Sequence, residues 1–281
     1  METYSYSKTS ITDQSHPISP LSSMRHSINP FVAHDSIVRE IWGSADVILF
    51  IFAGAAAEFS VNKAVDWLYF TGKLPKDPLG RLFSTVAYAR KIVFANVEGA
   101  HAAIDHMTGI HRHVETARGA QIPDWAYRDV LFMLINYSVR AFEILERKLT
   151  TREKQDVFKT FYQVGMRMKI NGLPTTFPQW ELMHQTQLKE DLAYSRFSEH
   201  LFQQYRKHLG WFRYLLVLKI QALLAPNQVK KLLGLKGGFT IKAILAVYKK
   251  SKVLGLQKIL RNLLLPPKYK AQVIDLDRPA V

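Results

Sequence analysis

The chain has 281 residues, of which 48% are hydrophobic and 22% charged, and 38 Lys and Arg against 23 Asp and Glu give a formal net charge of +15. This composition is typical of a packed globular protein with one large or two small domains, and it excludes a wholly disordered chain. The chain contains no cysteine. Disulfides, thiolate zinc sites, iron–sulfur clusters, a cysteine nucleophile and a covalently attached c-type haem are therefore excluded, and a protein-bound metal must use His, carboxylate or Tyr ligands.

The first 34 residues predict a flexible N-terminal arm. They are rich in Ser, Thr and His, contain Pro17, Pro20 and Pro30, and have no apolar run of the kind found in a signal peptide. The longest strongly apolar, uncharged stretch is the eleven-residue segment 47–57, whereas a membrane-spanning helix needs about 20 residues. We therefore expect an intracellular protein without a transmembrane helix, either soluble or peripherally associated with a membrane.

From Asp35 to about Gly210 the sequence predicts helices almost throughout, because apolar residues recur at three- and four-residue spacing. The predicted helices are 36–58, 59–72, 78–95, 97–118, 123–147, 151–170 and 177–208. Asp77 and Pro78 are typical of an N-cap followed by the first helical residue. No stretch shows the strict alternation of a β-strand. The predicted fold class is all-α, with a single helical domain.

The C-terminal 56 residues, 226–281, carry twelve Lys and Arg against two acids. Pro226 and Gly234 divide this tail into a short helix at 226–234 and a longer one at about 239–254. The charges alternate with Leu, Ile and Val and the aromatics are few, a pattern that favours an anionic membrane surface over nucleic acid. A solvated helix face over the core is the alternative, and the pattern leaves both open.

The sequence thus predicts three parts. Residues 1–34 form the arm, 35–235 the helical domain and 236–281 a basic, loosely amphipathic tail. No repeat of about 20–50 residues divides the domain further.

Four of the ten histidines lie in the helix predicted at 97–118, namely His101, His106, His111 and His113. In a chain without cysteine they are the leading metal ligands. At about 100° per residue they point in different directions, so no pair has the i, i+4 geometry of a helical zinc or di-iron site. One axial ligand to a haem remains allowed, because a haem needs a single His from one helix. A partly buried histidine bonded to a backbone carbonyl is the alternative for each of them.

Two further pairs of polar residues are candidates for chemistry. Arg81 and Thr85 are four residues apart and share a helix face, which can offer a cation and a hydroxyl to a bound anion or oxygen species. A salt bridge of Arg81 is the alternative. Glu58 and Asp66 flank the apolar stretch and are candidates for a general base, although we favour simple helix-end charges. Neither a nucleophile elbow nor a phosphate-binding glycine loop is present.

Several motifs occur in a specific order and spacing. They are 77–85 (DPLGRLFST), 92–94 (IVF), 110–114 (IHRHV), 125–131 (WAYRDVL), Leu149-Thr150 with Glu153, and 164–165 leading to 172–175. In this order, over roughly residues 40–235, the chain resembles the haem-dependent oxygenase family of bacterial latex-clearing protein (rubber oxygenase) and the fungal mycophenolic-acid-pathway oxygenase.

The resemblance implies an all-α domain around one non-covalent haem b, whose iron has His111 as its proximal ligand. Arg81 and Thr85 would lie on the distal or propionate side. The implied reaction is dioxygen-dependent cleavage or oxidation of a small lipophilic substrate, olefinic or isoprenoid-like. Rubber oxygenases carry a Lys before the motif Thr, which can cap the distal iron.

Ser84 takes the place of that Lys here. We therefore include Ser84 with Arg81 and Thr85 as expected catalytic residues and expect no Lys-capped iron. Two alternatives to the oxygenase remain: a non-catalytic haem-binding protein, and a haem-free α-helical protein that binds lipid or a membrane. No nucleic-acid partner is expected.

Overall fold

The structure is a computed structural model, which describes residues 29–236 and, beyond them, 245–248, 250–251, 254–255, 267–269, 271 and 276. Its α-helices are α1 (Ile37–Gly43), α2 (Ala45–Val61), α3 (Val65–Phe70), α4 (Lys73–Lys76), α5 (Pro78–Phe94), α6 (Val97–Arg118), α7 (Asp124–Leu145), α8 (Thr151–Arg167), α9 (Phe177–Glu190), α10 (Arg196–Leu209), α11 (Trp211–Leu224) and α12 (Asn227–Leu233). The described residues form no β-strand and include two isolated β-bridges. The predicted all-α class is confirmed.

Local side-chain caps determine where the central helices begin. The side chain of Asp77 accepts a hydrogen bond from the Gly80 amide at 3.1 Å, with Pro78 at the first position of α5. Thr150 and Glu153 form a reciprocal capping box at the start of α8. Both starts lie where the sequence predicts them, because capping depends on residues three apart in the chain.

Three of the predicted helices are divided in the structure, and the first two are adjacent in the chain. The segment predicted as helix 36–58 is α1 and α2, bent by 84° at Ser44, whose hydroxyl caps α2 through the Val47 amide at 3.4 Å. Taken together these two helices have the length and apolar composition of a membrane span, and no single helix of the described residues has both. The segment predicted as 59–72 begins with the last turn of α2 and continues as α3 after Ala64.

The segment predicted as helix 177–208 is α9 and α10, separated by residues 191–195. Those residues run beside the end of α2, where the Ala193 amide donates to the Val61 carbonyl at 2.7 Å and the Lys63 amide donates to the Asp191 carbonyl at 2.9 Å. This pairing replaces helical hydrogen bonds with contacts to a segment that is distant in sequence. The spacing of apolar residues within 177–208 therefore does not reveal the break between α9 and α10. The helix α11 was not among those that the sequence predicts.

α2 lies at the centre of the fold. It packs along α7 and also contacts α1, α10, α11 and α12, and its side chains at 47, 48 and 51 are fully buried. α5 and α6 pack together, and α6 also contacts α8. This arrangement puts the predicted site residues on the pair α5–α6, beside the start of α7.

Described residues of the predicted arm and of the predicted tail contact this helical body. Of the predicted arm, residues 29–34 are described: the Phe31 amide donates to the Ala95 carbonyl at 3.1 Å, and Val32 is buried in the core. Of the predicted tail, Tyr248 donates to Asp46 at 2.9 Å. Residues 1–28 and most of 237–281 lie outside the described residues.

The described 3-10 turn at Pro267–Tyr269 contacts the start of α5. The Tyr269 hydroxyl donates to Asp77 Oδ1 at 2.6 Å, and its ring stacks on Phe83 with centroids 5.8 Å apart. Lys268 lies 3.2 Å from the other carboxylate oxygen of Asp77. The N-cap of the helix that carries Arg81 therefore also binds this part of the tail.

Candidate functional site

Arg81, Ser84 and Thr85 form a small cluster on the first two turns of α5. Arg81 Nη1 donates to Thr85 Oγ1 at 2.8 Å and to Ser84 Oγ at 3.1 Å. Each hydroxyl donates its own proton to the Arg81 carbonyl, at 2.7 Å from Ser84 and 3.4 Å from Thr85. The hydroxyls can therefore only accept from the guanidinium, which they hold in one orientation.

The charge of Arg81 persists despite its burial. Burial lowers the pKa of Arg81, and Tyr88 acts in the opposite direction. A guanidinium nevertheless stays protonated in proteins, so Arg81 presents a permanent cation at neutral pH. Its remaining N–H donors can bind a carboxylate or another anionic oxygen.

His111, on α6, is held as a neutral imidazole near this cation. Burial, and next the charge of Arg81, lower the pKa of His111 to about 4, and Glu115 acts in the opposite direction. Its Nδ1 atom is buried and has no hydrogen-bond partner among the described residues. A neutral imidazole with an unpaired ring nitrogen is the form of histidine that binds a metal.

Tyr127 and Glu115 support the ring of His111. The rings of Tyr127 and His111 meet edge to face, with centroids 5.2 Å apart at 74°. The Tyr127 hydroxyl donates to Glu115 Oε1 at 3.2 Å, and the Ile122 amide donates to the same oxygen at 2.9 Å. Burial, with the charge of Glu115, raises the pKa of Tyr127. In the sequence Tyr127 is part of a motif, but the motif does not predict this place beside His111.

The other three histidines of α6 have different surroundings. His106 stacks on Tyr88 with centroids 6.0 Å apart, His101 meets the edge of Phe31 at 6.3 Å, and His113 is exposed. Within the part of the chain that the structure describes, no three His, Asp or Glu side chains are placed to hold a metal ion together. A haem requires only one protein ligand.

Residues 41–248 match the family model described as "ER-bound oxygenase mpaB/B'/Rubber oxygenase, catalytic domain". The chain belongs to this family. The match contains α2 to α12 and the whole cluster at α5–α6, and it ends at Tyr248, which contacts the body. No curated protein and no solved structure matches the chain significantly.

This mpaB/rubber oxygenase domain also contains a buried polar cluster that the sequence patterns do not predict. Glu58, fully buried on α2, accepts hydrogen bonds from the Tyr137 hydroxyl at 2.9 Å and from Gln187 Nε2 at 3.3 Å. His184 Nε2 lies 3.9 Å from Glu58 Oε1, and the His184 ring stacks on Trp180. Burial, with the charge of Glu58, raises the pKa of Tyr137.

The interpretation of Glu58 as a helix-end charge is wrong. α2 continues to Val61, so Glu58 lies within the helix, one turn after Gly54 and two turns after the buried Ile51. The i, i+3, i+7 spacing of Ile51, Gly54 and Glu58, which puts Glu58 on the apolar face of α2, is the signal that could have placed Glu58 inside. Asp66, by contrast, forms an ion pair with Arg118 at 2.7 Å.

Asp129 is a further buried carboxyl in this oxygenase domain, and it is only 2% exposed. Asn62 Nδ2 donates to Asp129 Oδ2 at 2.7 Å. Burial raises the pKa of Asp129 to about 7, with the charges of Asp191 and Glu58 adding to the effect and the Asn62 hydrogen bond opposing it. The folded protein therefore holds a proton on this carboxyl at pH values where the unfolded chain has lost it.

Asp129→Asn is expected to remove a pH dependence of stability. Between about pH 4 and about pH 7, the folded native chain binds a proton on Asp129 that the unfolded chain does not bind. This proton stabilises the folded state, and its contribution to the free energy of unfolding is lost as pH rises through this range. Relative to the native chain, the variant should gain on the order of 2 kcal/mol between about pH 4.5 and pH 7.5. Urea unfolding across this range measures the difference. Asp105→Asn is the control.

The control should differ from the native chain by an amount that stays constant between about pH 4.5 and pH 7.5, because the Arg167 hydrogen bond lowers the pKa of Asp105, so that this carboxyl is ionised in both the folded and the unfolded chain over that range. Removing that carboxylate withdraws stabilisation that is present at higher pH and lost as pH falls. A difference between Asp129→Asn and the native chain that stays constant across the pH range would contradict the assignment.

Proposed function

We propose that this chain is a haem-b-dependent oxygenase in which His111 is the protein ligand of the iron. Dioxygen and a small lipophilic substrate, olefinic or isoprenoid-like, are the proposed reactants. Membership of an oxygenase catalytic-domain family supports the reaction class. The observation that carries the proposal is the neutral, partly buried His111, whose unpaired Nδ1 lies on a helix packed against the one that holds Arg81.

The donor set at α5–α6 fits a haem. A neutral imidazole supplies the lone pair that iron needs, and a haem needs one such ligand. The propionates of a haem are carboxylates, for which a guanidinium offers paired N–H donors. Arg81 is oriented by Ser84 and Thr85, so its remaining donors are directed before any ligand binds.

Haem b, when bound, supplies the iron at which dioxygen is activated. Arg81 binds an anionic oxygen, and Thr85 with Ser84 holds the guanidinium in place. Tyr127 stays protonated and packs against the His111 ring, and Glu115 fixes Tyr127. Ser84 has no amine, so this position offers the iron no lysine ligand.

His111→Ala is expected to abolish haem retention. The measurement is the absorption spectrum of the protein purified after expression with a haem precursor, as isolated, reduced, and reduced with carbon monoxide. The native chain should show a Soret band at about one haem per chain that shifts with carbon monoxide, because His111 would be the one protein ligand of the iron. His113→Ala, an exposed histidine on the same helix, is the control and should keep the haem.

The same spectra separate the proposal from its two alternatives. A Soret band that carbon monoxide does not shift indicates a saturated iron and hence a non-catalytic haem-binding protein. No Soret band in the native chain, even after titration with haem, contradicts the proposal and favours a haem-free lipid-binding protein. Haem loss from His113→Ala with retention in His111→Ala would overturn the ligand assignment.

A further inference from the structure

The corner between α10 and α11 exposes a compact group of large apolar side chains. Trp211 is 59% exposed, Phe212 72% and Leu215 37%. Positions i, i+1 and i+4 of a helix lie on one side, so the three form a continuous surface on the first two turns of α11. We call these three residues the α11 patch. Contiguous exposed apolar side chains mark an interaction surface, whereas single exposed apolar residues are common on any protein.

The α11 patch belongs to a firmly packed helix. The far end of α11 is buried through Gln221, Ala222 and Leu224. Tyr214 and Val217 pack against a separate apolar cluster that includes residues of α10. Contacts on its other face therefore hold α11 in place. The α11 patch is exposed because it lies on the face that does not make these contacts.

Cations surround the α11 patch. The Arg206 guanidinium lies over the Trp211 ring, 4.9 Å from its centroid, and Lys207 beside it is exposed. Lys219 follows Leu215 by one turn on the same side of α11. The chain has no Asp or Glu from residue 200 to residue 274, and this stretch contains fifteen Lys and Arg. Among the described residues, Arg206, Lys207 and Lys219 therefore place positive charge next to the α11 patch.

We propose that the α11 patch docks this protein on an anionic lipid bilayer. Aromatic side chains prefer the interface between headgroups and acyl chains, and Lys and Arg around them bind anionic headgroups. A second copy of the chain fits less well, because a twofold contact through this patch would bring two cationic rims together. The proposal is independent of haem binding.

The test is co-sedimentation of the full chain with phosphatidylcholine vesicles, with and without about 20% phosphatidylserine. The native chain should bind the vesicles that contain phosphatidylserine. The double variant Trp211→Ala/Phe212→Ala should bind them more weakly by roughly tenfold or more, because the apolar anchor is lost. Arg206→Glu/Lys207→Glu should remove the preference for phosphatidylserine. Circular dichroism checks that each variant is folded.

The control is Met166→Ala/Leu182→Ala, which removes two exposed apolar side chains from α8 and α9 (53% and 67% exposed) and should bind as the native chain does. Three outcomes would overturn the proposal. They are the absence of vesicle binding by the native chain, self-association abolished by Trp211→Ala/Phe212→Ala, and vesicle binding that survives this variant but is lost when the tail residues Lys249, Lys250 and Lys252 are replaced by Glu.

Discussion

Gly54→Ala is expected to lower the free energy of unfolding by about 3 kcal/mol. A Cβ atom at position 54 would lie 2.3 Å from both Cδ1 and Cε1 of Tyr137. The Tyr137 ring is fully buried and its hydroxyl is bonded to Glu58, so the ring has no free space into which to move. The methyl group would separate α2 from α7, which form the largest helix contact of the described fold.

Gly109→Ala provides the matched control, since Gly109 lies inside α6 and a methyl group added there would meet no neighbouring segment within 4 Å. Alanine has the higher helix propensity and restricts the unfolded chain, so this variant should gain up to about 1 kcal/mol. Urea unfolding of both variants measures the contrast. Equal effects of the two substitutions would show that α2 and α7 do not approach each other as described.

Glu58→Ala is expected to lower the free energy of unfolding by about 3–5 kcal/mol. The substitution removes the acceptor of the Tyr137 hydroxyl and of Gln187, both of which are buried. Buried donors without an acceptor lose their hydration without compensation, and the missing carboxyl leaves a cavity. Thermal and urea unfolding monitored by circular dichroism give the change.

Glu58→Gln keeps the volume and one acceptor oxygen, and it should cost about half as much as Glu58→Ala. Tyr137→Phe is the partner substitution. If the two groups stabilise each other directly, the effects of Glu58→Ala and Tyr137→Phe should be less than additive in a double-mutant cycle. Fully additive effects would contradict the hydrogen bond between them.

The stability predictions for Gly54 and Glu58 both concern the contact between α2 and α7. Gly54, Glu58 and Asn62 are successive residues four apart along α2 and its C-cap, and they face Tyr137 and Asp129 of the antiparallel α7. The close approach at Gly54 therefore brings α7 near enough for Tyr137 to reach Glu58. The contact between α2 and α7 contains polar as well as apolar pairs, and the polar pairs fix how the two helices are aligned along each other.

Most of the helical architecture could be predicted from the sequence, because its signals are local. The predicted helices at 78–95, 97–118 and 123–147 differ from α5, α6 and α7 by at most two residues at an end. Caps such as Asp77 act over three residues, and the apolar period needs only the neighbouring turns. The shared face of Arg81 and Thr85 is also local, and their hydrogen bond lies within one helix.

The tertiary structure alone decided the features that depend on distant segments. The division of α9 from α10 requires pairing with Val61 and Lys63, which are far away in sequence. The neutral state of His111 results from burial and from Arg81 on another helix. Glu58 has its partners on α7 and α9. Burial and charge depend on what folding brings together, whereas periodicity and capping are present in each segment before the chain folds.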